Sequence, residues 1–297
     1  MARDLRGYAN DYPGVRWPGG ARLAVSFVLN IEEGGEFAIS AGDARNESIH
    51  EAVQTVEGAP DLCAESHFEY GSRVGYWRIA QVFDDQRVPL TLNTCGRALE
   101  ATPWIGEDAA KRNYEMCCHG WRWERHAGMD EATERALIAR AVDTIRRVHG
   151  KAPVGWHTKS SASVNTRRLL VEHGGFIYDS DAYNDDVPYY VEVAGKPHLV
   201  LPYAFDTNDM RFFDGYAFVR GADFADYCID AFDWLRAEGA HRPKMLSIGL
   251  HTRIIGRAAR IGGLVTLIRH MQARGGVWFA RREDIARHWL ANCPPRS

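Results

Sequence analysis

Arg22-Leu23-Ala24-Val25-Ser26-Phe27-Val28-Leu29-Asn30 runs directly into Ile31-Glu32-Glu33-Gly34-Gly35-Glu36. The first nine residues form an apolar run of strand length, which predicts an interior strand. Three carboxylates and two glycines then follow just past the strand's C-terminal end. In parallel α/β folds that edge is where sites are built.

Outward from this stretch the same alternation of strand, polar loop and helix returns. Upstream, Tyr12-Pro13-Gly14 and Trp17-Pro18-Gly19-Gly20 mark a loop-rich lead-in. Downstream, helices are predicted over Val74 to Gln86, Met129 to His149, Phe224 to Glu238, Gly262 to Gln272 and Arg282 to Leu290. Strands are predicted at Val88 to Asn93, Val154 to His157, Phe176 to Asp179, Leu199 to Tyr203, Met245 to His251 and Val277 to Ala280. No Gly/Ser/Pro-rich linker and no repeat interrupts the pattern, so residues 1–297 are expected to form a single α/β, barrel-like domain.

Composition narrows the functions. A chain of 297 residues with 45% hydrophobic and 25% charged residues has the ordinary globular mix. Its 36 basic and 39 acidic residues leave a net charge of −3, which gives no cationic surface for nucleic acid. No apolar run approaches membrane-span length, and the opening Met1-Ala2-Arg3-Asp4-Leu5-Arg6 lacks an apolar leader core, so no membrane partner and a cytoplasmic location are expected. Cys63, Cys95, Cys117, Cys118, Cys228 and Cys293 contain no C-x-x-C pair and fit reduced, mostly buried thiols. The glycine-rich phosphate signatures are missing, as are the G-x-S-x-G elbow and H-E-x-x-H, so no nucleotide cofactor is expected. Nine Trp, twelve Tyr and twelve Phe suit an aromatic-walled small-molecule pocket, a heavy core or a subunit interface.

Polar clusters remain at the predicted strand ends: Asn30 to Glu36, Glu69-Tyr70-Gly71-Ser72-Arg73, His119-Gly120-Trp121-Arg122-Trp123, Asp179-Ser180-Asp181, Asp206-Thr207-Asn208-Asp209 and Leu250-His251-Thr252-Arg253. Singly, each has an ordinary reading, since a lone carboxylate is usually solvated and Asp179 or Asp206 could cap a helix. A barrel would bring all of them around one mouth.

These stretches, with Leu169-Leu170-Val171-Glu172, Gly174-Gly175-Phe176, Tyr178-Asp179-Ser180-Asp181, Asp206 to Phe212 and Trp278 to Ala286, resemble the polysaccharide deacetylases of the NodB-like fold, and within them the allantoinase-like branch. The resemblance covers nearly the whole chain and implies a distorted (β/α) barrel. Metal-dependent members hold zinc with an aspartate after the first strand and two histidines spaced H-x-x-x-H, while a further aspartate is the base. One helical turn puts residues i and i+4 on one face, able to reach one ion. Here His119 has the first histidine's place, but Trp123 stands four residues on; Asn30 aligns with the base and Glu32 with the metal aspartate. An indole cannot ligate zinc and an amide is no general base, so the metal site reads as dismantled and no metal is expected. His126, seven residues after His119, could rescue it but reads better as a surface histidine, and Cys117 and Cys118 read as core.

A scaffold kept without zinc resembles the metal-independent allantoinases, which open a hydantoin ring, and relatives that hydrolyse cyclic imides. The resemblance thus implies a hydrolase of five-membered cyclic amides, the alternatives being a zinc-dependent de-N-acetylase of an amino sugar or an inactive binding module. From residue chemistry, Glu36 or Glu32 can receive a ring N–H or deprotonate water, His119 and His251 are natural proton shuttles, and Asp181 could orient one of them. Arg73 or Arg253 would neutralise an oxyanion, Trp123 and Trp156 could wall a flat slot, and Asp206 and Asn208 complete the candidate substrate contacts. In the allantoinases of this branch the segment after Gly155-Trp156 carries a Tyr-Thr-Gly-Arg-Thr run, whereas this chain reads His157-Thr158-Lys159-Ser160-Ser161. Loss of that arginine favours a ring without a ureido tail, although Lys159 can restore the charge. A homo-oligomer, by resemblance a tetramer, is also expected, with Tyr8, Tyr12 and Trp17 as candidate contact residues.

Overall fold

The computed structural model describes residues 3–49, 54–159, 161–213 and 217–295. The strands are β1 (Leu23–Ile31), β2 (Thr91–Thr94), β3 (Glu115–Cys118), β4 (Gly155–Trp156), β5 (Tyr178–Asp179), β6 (Tyr189–Val193), β7 (Lys196–Val200), β8 (Lys244–His251) and β9 (Val277–Phe279). The helices are α1 (Leu62–Tyr70), α2 (Tyr76–Gln86), α3 (Gly96–Ala101), α4 (Pro103–Lys111), α5 (Glu131–His149), α6 (Thr166–His173), α7 (Gly221–Glu238), α8 (Ile261–Arg274) and α9 (Arg282–Asn292). A π-helical turn, Gly71–Gly75, joins α1 to α2.

All nine strands join one sheet in the order β6-β7-β5-β4-β3-β2-β1-β8, with β9 also on β1; only β6 and β7 pair antiparallel. Every residue of β1 is buried, because strands flank it on both sides and packed layers cover both its faces. The expected interior strand is therefore the centre of the fold. The chain leaving β7 bridges β8 at Asn208 and Gly249, so the two ends of the sheet curl toward one another. The result is a curled α/β half-barrel.

Packing fills the sheet from both sides. One cluster gathers Phe27, Leu29, Ile79, Phe83, Leu92, Ile248, Leu250 and Leu267. A smaller one gathers Val15, Trp17, Ala24, Met245, Ile285 and Trp289. Trp17 is thus covered within the chain, and Tyr8 and Tyr12 donate their hydroxyls to the Pro188 and Pro243 carbonyls. Of the three candidate contact residues, Trp17 is buried, while Tyr8 and Tyr12 are half-buried.

Arg282, at the start of α9, is fully buried and crosses beneath the sheet. Its guanidinium donates to Ser180 Oγ (2.8 Å), Ser247 Oγ (2.5 Å), and the Leu201 (2.5 Å) and Pro202 (3.1 Å) carbonyls. It thereby holds the segment after β7 against β8, the two elements that face each other across the cleft described next.

Candidate active site

The strand ends are in register. Asn30 pairs with Asn93 on β2 and with His251 on β8, so residues from three strands meet at one edge. Asn30 donates to the Leu250 carbonyl (3.0 Å) and to the Tyr203 hydroxyl (3.4 Å) and accepts from Asn93 (3.2 Å). Its amide is a brace. Gly249 faces this brace: a Cβ there would stand 2.3 Å from Asn208 Nδ2 and 2.5 Å from the Tyr203 hydroxyl, so only glycine lets the segment after β7 approach.

Glu32, one residue past β1 and 1% exposed, is the centre of the site. Its Oε2 accepts from Arg253 at 2.7 Å, and its Oε1 lies 3.5 Å from Nε2 of both His119 and His251. Burial alone would raise its pKa, but Arg253 and the charged, hydrogen-bonded His251 outweigh it and hold the carboxyl well below its ordinary range. Such a carboxylate is a weak base and a strong electrostatic partner.

His251 ends β8. Its Nδ1 faces Asp209 Oδ1 at 2.6 Å, and Asp209 Oδ2 accepts from the backbone N–H of His251 (2.7 Å) and Ile255 (3.1 Å). Burial pulls the imidazole pKa down, yet Asp209 and Glu32 overcome it and raise it to about 9. His251 therefore enters the site as a cation with Nε2–H turned toward Glu32. His119, just past β3, donates its Nδ1–H to the His157 carbonyl and stacks on the His157 ring at 5.2 Å and 12°. That bond leaves Nε2 facing Glu32; in the neutral ring this nitrogen holds a lone pair. The His157 pKa is lowered by burial.

A cleft of about 710 Å³ opens above these groups. Asn30, Glu32, His119, Trp123, Lys159, Asp206, Asn208 and His251 all line it, so the structure brings together eight of the residues singled out in the sequence. Tyr203 and His157 line it too and were not singled out. The Tyr203 pKa is raised by burial, so the phenol stays protonated and has an O–H to offer a ligand.

The remaining candidates lie elsewhere. Arg73 is 74% exposed and pairs with Glu69 across a helical turn, outside the cleft. Trp156 is wholly buried, donating to Thr158 Oγ1 and packing on His126 and Phe176, so it is core rather than a slot wall. Glu36 accepts from Gly34 N–H off the cleft, and burial pushes its pKa up to about 7. Asp181 accepts from the Thr158 N–H and hydroxyl at 2.7 Å each and lies 3.3 Å from His157 Nδ1, so it faces His157 rather than His119 or His251; Asp209 orients His251 instead. Arg253 is the counter-ion of Glu32 and Glu33 rather than an oxyanion donor. His126 is 1% exposed and bound to the buried Glu134 at 2.9 Å, not a surface residue. Asp179 caps no helix: it pairs with Arg167 and His198. Cys117 and Cys118 are both buried.

The zinc centre implied by the resemblance does not fit these residues. Glu32 is already neutralised by a guanidinium, an indole stands four positions after His119, and among the described residues no group of three or more His, Cys, Asp or Glu is placed to hold a metal ion.

Comparison with known proteins agrees with this architecture. Residues 59–175 match the polysaccharide deacetylase family. A putative polysaccharide deacetylase of Schizosaccharomyces pombe is 37% identical over 98% of each chain. The crystal structure of a probable polysaccharide deacetylase from Pseudomonas aeruginosa PAO1 superposes with a TM-score of 0.95 at 47% identity, covering 100% of each chain. That of PuuE allantoinase gives a TM-score of 0.95 at 46% identity, covering 100% of this chain and 99% of the other.

Proposed function

The chain belongs to the polysaccharide deacetylase family of hydrolases, and from that premise we propose that it opens a five-membered cyclic amide at its C–N bond without a metal ion. The observation that carries this reading is the arrangement of His119 and His251 on one oxygen of Glu32 while Arg253 occupies the other. The 46% identity to PuuE allantoinase supports a cyclic amide as the substrate class.

The chemistry follows from the protonation states. With the ring seated in the cleft beside Trp123, water attacks the ring carbonyl and gives a proton to His119 Nε2. The carbonyl oxygen becomes negative and takes a hydrogen bond from the Tyr203 hydroxyl. Collapse breaks the C–N bond as His251 Nε2–H passes its proton to the leaving nitrogen. The product is one open-chain molecule bearing a carboxylic acid, which ionises to solvent, and the freed amide or ureide nitrogen. The proton on His119 then returns to His251 across Glu32 Oε1, 3.5 Å from each ring. Glu32 takes no lasting proton; it keeps His251 charged and both rings aligned.

The test is a panel of hydantoin, allantoin, succinimide and a chitin oligosaccharide, assayed for ring opening or acetate release. Ring opening of at least one cyclic amide without acetate release is expected. Acetate release alone overturns the reading.

A further inference from the structure

The mechanism leaves one charged pair in the cleft unused. Glu47, in the segment between β1 and α1, lines the same cavity as Glu32, His119 and His251, and its side chain is only 10% exposed. Its segment is pinned: Glu47 N–H donates to the Phe37 carbonyl at 2.7 Å, and the neighbouring Asn46 side chain donates to the Val56 and Ala59 carbonyls at 2.8 Å each. Glu47 Oε1 faces Lys159 Nζ at 4.0 Å, while Oε2 is buried with no hydrogen-bond partner among the described residues. Lys159 also lines the cleft, with its ammonium 3.2 Å above the centre of the Trp123 ring. An unpartnered buried carboxylate oxygen is costly unless a ligand supplies the missing donor.

We propose that Glu47 and Lys159 recognise a ureido edge of the substrate, an N–H beside a C=O, and so select hydantoin-type rings over simple imides. This inference rests on the cyclic-amide reading above. Glu47 Oε2 accepts the N–H of the ring nitrogen outside the scissile bond, and Lys159 donates to the adjacent carbonyl. The two groups stand 4.0 Å apart on the wall of the cleft, adjacent as the N–H and C=O are in a planar ureide. In succinimide the position of that N–H is a methylene, which would leave Glu47 Oε2 unpartnered. A site built to bind a substrate N–H rejects the analogue lacking it far more strongly than an apolar pocket rejects a change of shape.

The experiment compares kcat/KM for hydantoin, for hydantoin methylated at the nitrogen outside the scissile bond, and for succinimide, in the parent and in Glu47→Leu and Glu47→Gln, with Tm measured on the same samples. The parent is expected to prefer hydantoin over its methylated form by about tenfold or more. Glu47→Leu should lower the hydantoin-to-succinimide ratio by a similar factor, and Glu47→Gln, which keeps an acceptor oxygen, should lower it less. Equal turnover of methylated and unmethylated hydantoin by the parent overturns the proposal even where Glu47→Leu does not fold. An unchanged ratio in a Glu47→Leu protein that melts like the parent also overturns it. A parent that opens none of the rings instead refutes the cyclic-amide reading, and this inference with it.

Discussion

His251 keeps its proton because Asp209 and Glu32 face it from opposite sides of the ring, raising its pKa from an ordinary 6.5 to about 9 against the pull of burial. If it is the acid that frees the ring nitrogen, kcat/KM should hold through neutral pH and fall along an alkaline limb near 9. Asp209→Asn removes one of the two carboxylates and should move that limb to lower pH; a limb that stays in place would remove His251 from the acid role. Because the folded pKa is raised, the same charge stabilises the fold fully below about 6.5 and is lost as pH rises through about 9, so Tm should fall across that window. Tyr203→Phe deletes only a hydroxyl and should lower kcat by about 10²-fold with little change in Tm. Loss of stability with unchanged kcat would make the phenol a packing group. His119, Glu32 and His251 were legible in the sequence as polar residues at strand ends. Their partners were not: Asp181 and Asp209 stand in similar acidic clusters, and only the curl of the sheet decides that Asp209 faces His251 while Asp181 faces His157.

Elements with a strong pattern were readable and short ones were not. β1, β8, α5 and α7 fall close to their predicted positions, because long apolar runs and the Asp130 N-cap mark them. β4 and β5 are two residues each, and their predicted strands were longer. The β6–β7 hairpin was missed at its first strand: Tyr189–Val193 is half-exposed at the sheet edge and has no buried run to announce it. Arg282 was read only as part of a helix, whereas it is the buried strut between the segment after β7 and β8. Arg282→Met would leave the Leu201 and Pro202 carbonyls without this donor and should cost about 3 kcal/mol. Denaturant unfolding measures this; a loss within experimental error would show that the strut is dispensable.

For the molecule as a whole, the charge is near balance, and among the described residues no helix is long and apolar enough to cross a membrane. The sequence placed Trp123 and Asn30 where metal-dependent members of the family carry a ligand and the base. It did not reveal the Arg253–Glu32 pair, which joins residues more than two hundred positions apart. Trp123→His should therefore not create a deacetylase: one imidazole is restored, but Glu32 stays bound to Arg253. The most direct measurement is ring opening by protein dialysed exhaustively against a strong chelator, with its metal content determined on the same sample. Undiminished turnover at far less than one metal ion per chain is the expected result. Turnover that disappears on chelation and returns in proportion to added zinc would contradict hydrolysis by His119, Glu32 and His251 alone.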